Sequence, residues 1–353
     1  MTELLGKAKG PQKINQKQIA AMLNISQSTV SRALSGSRSV DTATRRKVLE
    51  AAKALGYTPN YLAQSLVLQR TRHLCYIMPT FGFIQGEVTS SILAGAGDTA
   101  GELGYRFTLV AEAQEELLTL AADGMYDGLF LTLEDPESAL EQLNQILEAN
   151  YPIVLVNCWL DDPRVHYVAT DNWYGAYTAT RYLQELGHRR IAFVGPLGGQ
   201  IGKERFLGFK TAFQEASPGL DPQTLDVYWP KRIEELEKRL EEVFNFSPFP
   251  TAFVVSSDLT AIGLMRLLEK RGGGVPQDVS VIGFDDITTA AYNLPALTTV
   301  EIPGHRMGCE AMHVMYRLLN RKASSKPEQA IQIKVPARLI KRDSCQAPAC
   351  SGS

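Results

Sequence analysis

The sequence predicts a small all-α head of the helix-turn-helix type joined to a larger, two-lobed α/β body with parallel sheets. Three observations lead to this prediction. Short amphipathic helices flank a polar turn near the amino end, basic charge is concentrated in the same segment, and apolar strands alternate with helices from residue 74 onward. At 353 residues, the chain has room for a small head and one large or two medium domains.

Charge is divided unevenly along the chain. Residues 1–73 hold 12 Lys and Arg against 3 Asp and Glu, while the remaining residues hold 24 basic and 35 acidic side chains. The formal net charge of −2 therefore combines a basic head with an acidic body. A polyanion, such as the phosphate backbone of duplex DNA, is the partner that such a head predicts.

The head is predicted to contain three helices. Asn15 is a suitable N-cap for the first helix, and Ser26 caps the second after a polar turn. Asp41 opens the third helix, which ends at Gly56 as helices commonly end at a glycine. Apolar side chains at helical spacing form the expected core of the head: Ile19, Ala20, Leu23, Val30, Leu34, Val48, Ala51, Ala52 and Leu55.

The second helix presents hydrogen-bonding side chains to the outside. In the major groove, Gln pairs well with adenine and Arg with guanine, and Ser can contact bases or phosphates. Ser26 and Thr29 are better placed for the DNA backbone, as are the side chains of the third helix. A polar helix face is often only a solvated face, but the charge distribution favours DNA. The candidate DNA contacts on these helices are Ser26, Gln27, Ser28, Thr29, Ser31, Arg32, Thr44, Arg45 and Lys47.

Apolar runs of strand length alternate with helical patterns in the body. Because these strands are continuously apolar, we expect parallel sheets covered by helices on both faces. The pattern restarts after about residue 170, which predicts two similar lobes and a small-molecule site at the carboxyl ends of the strands. The predicted strands are 74–78, 106–110, 128–131, 153–156, 191–195, 252–255 and 280–284, and the predicted helices are 91–103, 139–149, 175–186, 203–216, 233–244 and 260–271.

The composition argues against several classes of protein. No apolar run is long enough to cross a membrane, and the amino end lacks the apolar segment of a signal peptide. The five cysteines are odd in number and form no CxxC pair, so we expect no disulfide framework, no metal site, no cofactor and a cytoplasmic location. Both chain ends, 1–13 and 344–353, are expected to be disordered.

An enzyme and a transport-type binding protein are the alternatives to a DNA-binding protein. No GxGxxG follows a strand, the histidines have no metal-ligand spacing, and Ser256 and Ser257 lack the context of a nucleophile elbow. His188 is expected to make a structural hydrogen bond. The body would suit a transport protein, but the basic head and the missing signal peptide disfavour that function. We therefore expect no enzymatic activity.

Three strings in the head carry a resemblance to a known family: IAAMLNISQSTVSRALSG, VDTATRRKVLEAAKALGYTPN and LAQSL. Through them, the chain resembles the LacI/GalR family of bacterial transcription regulators. The resemblance implies a DNA-binding headpiece at 14–60 in which Gln27, Ser28 and Arg32 read bases and Asn60 also contacts DNA.

The resemblance further implies a hinge helix at about 61–69, within a linker at 61–73. Leu66 would enter the minor groove at the centre of the operator, with Ala63 beside it. A helix of this length is too short to be stable alone in water, so it would fold only on DNA. An apolar side chain between base pairs kinks the duplex, which makes the hinge an order–disorder switch that the body can bias.

The resemblance continues through the body in the strings ATDNWYGA, LGHRRIAFVG, RFLGF, VPQDVSVIGFDD and PALTTV. These are similar to strings of the same family and of periplasmic sugar-binding proteins. The implied fold is a periplasmic-binding-protein-like (type I) domain at 74–343 that binds an effector and forms dimers. The expected amino lobe is 74–170 plus 303–328, and the expected carboxyl lobe is 171–302 plus 329–343.

Residue-by-residue transfer places an effector site between the lobes. Arg205 in RFLGF and Asp285 in GFDD match the arginine and the carboxylate that bind ligands in the family. Such a pair can hold a polyol by charge-assisted hydrogen bonds. Ser257 stands where many relatives carry Asn. Trp229 stands where an aromatic ring often stacks on the ligand, although a place at the rim or in the core is equally open.

Other positions depart from the family pattern. Asn157 and Cys158 stand where many relatives have Asp-Arg, and Trp159 follows them. Phe83 belongs to a segment that is longer than usual, and either lines the cleft or packs. Phe83, Asn157 and Trp159 complete the candidate effector residues, whereas the Asp-Asn pair at 171–172 is interpreted as structural.

The resemblance implies a sequence-specific DNA-binding transcription regulator, expected to be a repressor under allosteric control. We expect a homodimer on a pseudo-palindromic operator of double-stranded DNA, with a sugar-like small-molecule effector bound between the lobes. The alternative is a cytoplasmic small-molecule-binding protein of the same fold that acts as an activator or depends on a co-repressor.

Overall fold

The computed structural model describes residues 14–34, 39–57, 70–79, 86–111, 116–227, 233–321 and 329–348. The chain divides into two compact units, residues 1–71 and 72–353. Several predictions lie outside the described residues: the arm at 1–13, the hinge helix at 61–69, the last residues 349–353, and the candidate site residues Asn60, Ala63, Leu66, Phe83 and Trp229.

The first unit contains the three expected helices: α1 (Gln16–Leu23), α2 (Gln27–Leu34) and α3 (Thr42–Ala54). Asn15 and Gln18 form a capping box, because the Asn15 side chain accepts from the Gln18 amide at 3.1 Å and Gln18 Oε1 accepts from the Asn15 amide at 2.8 Å. Asp41 caps α3 through the Thr44 amide at 2.9 Å. Gly56, just beyond α3, has a φ of +63°, which glycine adopts without strain.

The three helices pack around a small apolar core. Ile19, Val30 and Val48 are fully buried, one from each helix. Leu23, Leu34 and Leu55 are partly buried against them, as their helical spacing predicts. Since each helix is too short to be stable alone, this shared core holds the recognition surface in place.

The second unit is a two-sheet α/β structure. Its strands are β1 (His73–Met78), β2 (Arg106–Ala111), β3 (Gly128–Leu131), β4 (Ile153–Val156), β5 (Tyr167–Thr170), β6 (Ile191–Gly195), β7 (Thr224–Asp226), β8 (Ala252–Val255), β9 (Ser280–Asp285), β10 (Thr298–Glu301), β11 (Gln332–Val335) and β12 (Arg338–Ile340). Its helices are α4 (Glu87–Leu103), α5 (Leu117–Ala122), α6 (Leu140–Glu148), α7 (Asn172–Glu185), α8 (Gln200–Ala216), α9 (Ile233–Leu240), α10 (Asp258–Lys270), α11 (Thr288–Tyr292) and α12 (Gly304–Leu319).

Each lobe is built on one sheet. The amino lobe has the strand order β11-β5-β4-β3-β1-β2, all parallel, and the carboxyl lobe has the order β12-β10-β9-β8-β6-β7. In the second sheet β12 is antiparallel to β10, a departure from the expected parallel sheet that is confined to the edge. The central strands β3, β4, β6 and β8 are fully buried, as their continuous apolar sequences predict.

The expected division of the carboxyl-terminal segment was wrong. We expected 329–343 in the carboxyl lobe, but β11 pairs with β5 in the amino-lobe sheet, with Gln332 opposite Tyr167 and Val335 opposite Thr170. After Val335 the chain crosses, and β12 pairs with β10. Within the described residues, the chain therefore passes between the sheets after β5, after β10 and after β11.

The expected disorder of 344–353 was wrong for 344–348. Ser344 is fully buried: its hydroxyl accepts from the Thr298 amide at 2.9 Å, and its carbonyl accepts from the Val281 amide at 2.9 Å. His188 contacts the Gln346 carbonyl at 2.8 Å and Thr251 Oγ1 at 2.9 Å, so its predicted structural hydrogen bond is confirmed. We call residues 344–348 the strap. Its short, polar sequence did not predict an ordered segment, because the strap is held by groups of the carboxyl lobe that are distant in sequence.

Candidate functional site

The exposed surface of α2 carries most of the candidate base-reading side chains. Gln27, Ser28 and Arg32 are exposed, whereas Ser31 is half-buried. The face opposite holds Val30 in the core, so the fold of this unit directs the polar positions outward. This is the arrangement that a recognition helix needs to reach base edges in a major groove. The individual DNA contacts remain predictions.

Ser26 and Thr29 have a structural role at the start of α2. Ser26 Oγ accepts from the Thr29 amide at 3.1 Å and lies 2.8 Å from Thr29 Oγ1. Ser28 Oγ is 2.7 Å from the same Ser26 oxygen. These three hydroxyls therefore form one network at the helix amino end, where amide groups and the helix dipole favour a phosphate.

The first turn of α3 supplies the remaining candidate phosphate contacts. Thr44 and Arg45 are half-buried and Lys47 is exposed. The Asp41 cap holds this turn, and hydrogen bonds from the Thr44 amide and side chain hold the pKa of Asp41 below its usual value. A capped first turn with an exposed lysine suits electrostatic contact with the DNA backbone.

In the second unit, Arg205 is the central side chain of the candidate effector site. It lies on α8 and is only 7% exposed. Its Nε donates to Asn172 Oδ1 at 2.8 Å, and its Nη1 donates to the Ser256 carbonyl. The guanidinium carbon also lies 3.8 Å from the centroid of the Phe284 ring. The side chain is therefore fixed by polar contacts at its edge and an aromatic face beneath it.

Asp285 faces Arg205 from the end of β9. Its Oδ1 lies 3.5 Å from Arg205 Nη1, so the predicted pair is brought together. Burial raises the pKa of Asp285 to about 7, although the arginine opposes this shift. Burial also lowers the pKa of Arg205, which its acidic neighbours counteract. Burial removes water from both charged groups, so a polar ligand that hydrogen-bonds to them would replace part of the lost solvation.

The backbone at the end of β9 is strained. Asp285 has a φ of +124° and Asp286 a φ of +58°, both unusual for residues with a side chain. The turn is held by Arg342, whose Nη2 lies 2.6 Å from Asp286 Oδ1. Strain of this kind costs free energy and persists where the surroundings enforce it, as they commonly do at binding sites.

Asp258 hydrogen-bonds to the chain just after this turn, a role that the sequence did not suggest. It is fully buried; Thr299 Oγ1 donates to Oδ1 at 2.5 Å and the Ile287 amide donates to Oδ2 at 2.9 Å. Burial raises the pKa of Asp258 to about 6, against the effect of both hydrogen bonds. Its carboxylate therefore connects α10, β10 and the chain that follows Asp285.

The other candidate effector residues have mixed positions. Ser257 caps α10 by accepting from the Thr260 amide at 3.3 Å, so at least part of its role is structural. Asn157 ends β4 in the amino lobe with a φ of +58° and is half-buried. Both lie at carboxyl ends of strands, as expected for a cleft site, but in different lobes.

Trp159 contacts the carboxyl lobe. The Gln200 side chain accepts from the Trp159 amide at 3.1 Å and donates to the Trp159 carbonyl at 2.8 Å. Beside it, Lys334 of β11 pairs with Glu204 of α8 at 2.8 Å and lies 5.0 Å above the indole ring. Trp159 is thus part of an interlobe contact in this conformation.

A second interlobe contact stands beside a small pocket. Glu87, at the start of α4, accepts from the Thr288 amide at 2.7 Å and from its hydroxyl at 2.8 Å. The pocket has a volume of about 200 Å³. Four of its lining residues carry carboxylates, which accept hydrogen bonds from hydroxyl groups. The pocket is lined by Glu87, Val88, Ser91, Asp285, Asp286, Glu301 and Ile302.

Sequence reasoning missed several partners of the predicted pair. Asn172 was interpreted as structural, yet it is 1% exposed and its side chain binds Arg205. Ser256 contributes a carbonyl, which no side-chain pattern can reveal. Phe284 precedes Asp285 in an apolar strand and looked like a core residue only. The signal for Asn172 was present, since it lies two residues after β5, where the chain crosses between lobes.

The described part of the chain holds neither a metal cluster nor a membrane-spanning helix. No cluster of three or more His, Cys, Asp or Glu side chains there has the geometry to hold a metal ion. Among the same residues, no helix combines the length and the apolar character that crossing a bilayer requires.

Comparison with known proteins identifies the same two parts. Residues 16–60 match the family described as bacterial regulatory proteins, lacI family, and residues 180–345 match the periplasmic binding protein-like domain. The regulator CelR of Thermobifida fusca is 32% identical over 335 residues, covering 92% of this chain and 96% of CelR. The repressor PurR of Edwardsiella ictaluri is 31% identical over 344 residues, covering 93% of this chain and 96% of PurR.

A solved structure extends this similarity to the fold. The complex of the transcriptional regulator CelR with cellobiose matches with a TM-score of 0.68 and 28% identity, covering 94% of this chain and 100% of that one. The headpiece, the two lobes and these relatives define a DNA-binding transcription regulator with an effector-binding domain. The chain belongs to the LacI family of bacterial regulatory proteins.

Proposed function

We propose that this protein is a cytoplasmic repressor that binds a pseudo-palindromic operator as a homodimer and responds to a sugar-like effector held between its lobes. The observation that carries the effector part is the buried Arg205, which faces Asp285 at the carboxyl end of β9. A buried ion pair at that edge of a parallel sheet, in a regulator of this family, is suited to ligand binding.

The chemistry of the pair suits a polyhydroxy molecule. The guanidinium of Arg205 is donor-only and Asp285 is an acceptor when ionised, so adjacent hydroxyl groups can accept from one and donate to the other. The strained turn at Asp285 and the three fixed partners of Arg205 hold both groups before a ligand arrives. Preorganisation of this kind reduces the cost of binding.

The relatives of this chain support its proposed role as a repressor that responds to a sugar-like effector. A relative named as a repressor, PurR, is 31% identical, and the related CelR structure contains cellobiose. In a homodimer, two recognition helices related by two-fold symmetry would read two half-sites of the operator. The basic charge of residues 1–73 supports contact with phosphates. Cytoplasmic location follows from action on chromosomal DNA.

Effector control requires that ligand binding change the relation between the lobes. The hydrogen bonds of Gln200 to Trp159 and of Thr288 to Glu87 are two interlobe contacts that such a change would remake. Differential binding between two conformations typically supplies about 1–3 kcal/mol of coupling. That range is enough to change operator occupancy severalfold.

Arg205→Ala tests this function. We expect the purified variant to bind operator fragments recovered from genomic DNA as the parent does, and to lose the response to cellobiose and other neutral disaccharides. Operator affinity measured with and without each sugar gives the result. Lys203→Ala is the matched control, because Lys203 is an exposed cation on the same helix. A full sugar response in Arg205→Ala would refute the assignment of the effector site to the cleft. If the parent protein preferred no genomic fragment, its function as a sequence-specific regulator would be refuted.

A further inference from the structure

A cysteine, a histidine and an aspartate meet where α4 and α12 cross, and none of them belongs to the candidate effector site. Cys309 Sγ lies 3.6 Å from His305 Nδ1, and His305 Nε2 lies 3.2 Å from Asp98 Oδ2. The Cys309 thiol also lies 3.5 Å from the Gly95 carbonyl, to which it can donate. The three side chains therefore form a series of contacts from a nucleophile, through a base, to an orienting carboxylate.

The arrangement follows from helix geometry and from a close crossing. Side chains of a helix lean toward its amino end, so residue 309 meets residue 305 one turn earlier. Asp98 comes from the other helix, and its contact requires the backbones to approach closely. Gly95 permits this approach, because a Cβ there would overlap the carbonyl oxygen of His305.

The environment of Cys309 differs from that of the other described cysteines. Burial raises the pKa of Cys75 and of Cys158 to about 12, and that of Cys345 to about 11. Since the thiolate is the reactive form, these three thiols are suppressed at neutral pH. Cys309 is half-buried, as is Cys345, but the Cys309 thiol contacts an imidazole. Cys350 lies outside the described residues and is removed in the experiment below.

We propose that Cys309 is a peroxide-reactive thiol, which His305 deprotonates and Asp98 helps to orient. Neutral His305 accepts at Nδ1 when Nε2 carries the proton and donates it toward Asp98, so one tautomer satisfies both contacts. The titratable groups that these contacts bring to the thiol are His305 from its own helix and Asp98 from α4.

The reaction with hydrogen peroxide balances with these groups alone. His305 Nδ1 takes the thiol proton, the sulfur attacks one peroxide oxygen, and the O–O bond breaks as the S–O bond forms. The sulfur is oxidised by two electrons to sulfenic acid, and the peroxide is reduced. The departing hydroxide takes the proton from His305 and leaves as water, which restores the neutral imidazole.

The experiment uses the full-length chain with Cys350→Ser, treated with hydrogen peroxide and a dimedone probe that traps sulfenic acid. Mass spectrometry of the labelled protein should locate the adduct on Cys309 and give its rate of formation. His305→Asn should slow this rate by about tenfold at neutral pH, because the local base is lost. His313→Asn is the matched control: His313 is exposed, lies one turn beyond Cys309, and should leave the rate unchanged.

A pH series separates activation from a merely structural effect of His305. At high pH, hydroxide can take the thiol proton in place of His305, so the rates of the parent and of His305→Asn should converge. Asp98→Asn should slow labelling less than His305→Asn, since it acts through the imidazole. The proposal is overturned if Cys309 gains no adduct, if His305→Asn labels as fast as the parent at neutral pH, or if its rate stays depressed at high pH.

Discussion

The ionisation of Asp285 links pH to the stability of the carboxyl lobe. Its pKa, raised to about 7 by burial, lies above the ordinary value of 3.8 for an aspartate. Between these values the folded protein keeps a proton that the unfolded chain has released. The free energy of unfolding therefore falls as pH rises through this window, and the fall is complete once the folded carboxyl has also ionised.

Asp285→Asn should remove this pH dependence. We expect the parent to lose more stability between pH 5 and pH 7.5 than the variant, measured by urea unfolding at both values. Asp258, whose pKa is raised to about 6, contributes in the same direction in both proteins, so the variant should keep a smaller fall of its own. An equal loss in the two proteins would show that Asp285 does not retain its proton in the folded state.

At the residue scale, the sequence identified charged side chains but not the groups that fix them. Arg205 and Asp285 were predicted through the resemblance, and the structure brings them within 3.5 Å. The Ser256 carbonyl and the Phe284 ring were not foreseen, because main-chain acceptors have no residue signature and a strand phenylalanine is usually core. Asn172 was interpreted as structural more often than ligand-binding, and its hydrogen bond to Arg205 was not foreseen because Arg205 lies on another helix.

At the scale of elements, α2 and α3 divide the work expected of the headpiece. The exposed Arg32 lies on the helix predicted to read bases, whereas the exposed Lys47 lies on the helix predicted to meet phosphates. A base contact discriminates between sequences, and a phosphate contact acts on any duplex. The two side chains should therefore affect affinity in different ways.

Arg32→Ala and Lys47→Ala should separate these contributions. Arg32→Ala is expected to reduce discrimination between operator and random duplex by about 1–3 kcal/mol. Lys47→Ala should weaken both kinds of binding alike and reduce the dependence of log K on log salt by about one. Titrations of both duplexes at several salt concentrations measure the difference. Unchanged discrimination in Arg32→Ala would exclude a base-reading role.

The elements themselves were predictable to different degrees. In the headpiece, caps and apolar spacing agree, and the predicted caps Asn15, Ser26 and Asp41 stand at the starts of α1, α2 and α3. The helix α12 was missed, because its sequence contains Gly304 and Gly308, which weaken a helix in isolation. A Cβ on Gly308 would overlap the Ile92 carbonyl, so tight packing against α4 requires what local propensity disfavours. The strands β10 and β11 were missed because polar residues interrupt them.

At the scale of the whole molecule, the final described segment completes the carboxyl lobe. Ser344 binds backbone groups of Val281 and Thr298, and the Gln346 amide donates to Ser280 Oγ at 3.1 Å. These contacts satisfy buried polar groups, which would lose their hydrogen-bond partners if the strap were removed. Local sequence could not predict this, since both partner strands precede the strap by at least one crossover of the chain.

Two truncations test the role of the strap. A chain ending at Asp343 should lose about 2–5 kcal/mol of stability, since each buried backbone group left unpaired costs about 1–3 kcal/mol. A chain ending at Pro348 retains the strap and should unfold at the same urea concentration as the parent. Equal stability of the two truncated chains would show that 344–348 is dispensable.

The position of β11 and β12 has a consequence for biosynthesis. Each sheet receives an edge strand from the last part of the chain, so neither lobe can close while the ribosome is still translating that part. The headpiece, whose core is contained in residues 19–57, is free to form on the nascent polypeptide much earlier. Newly made protein should therefore pass through a stage in which a folded headpiece precedes two sheets that each still lack an edge strand.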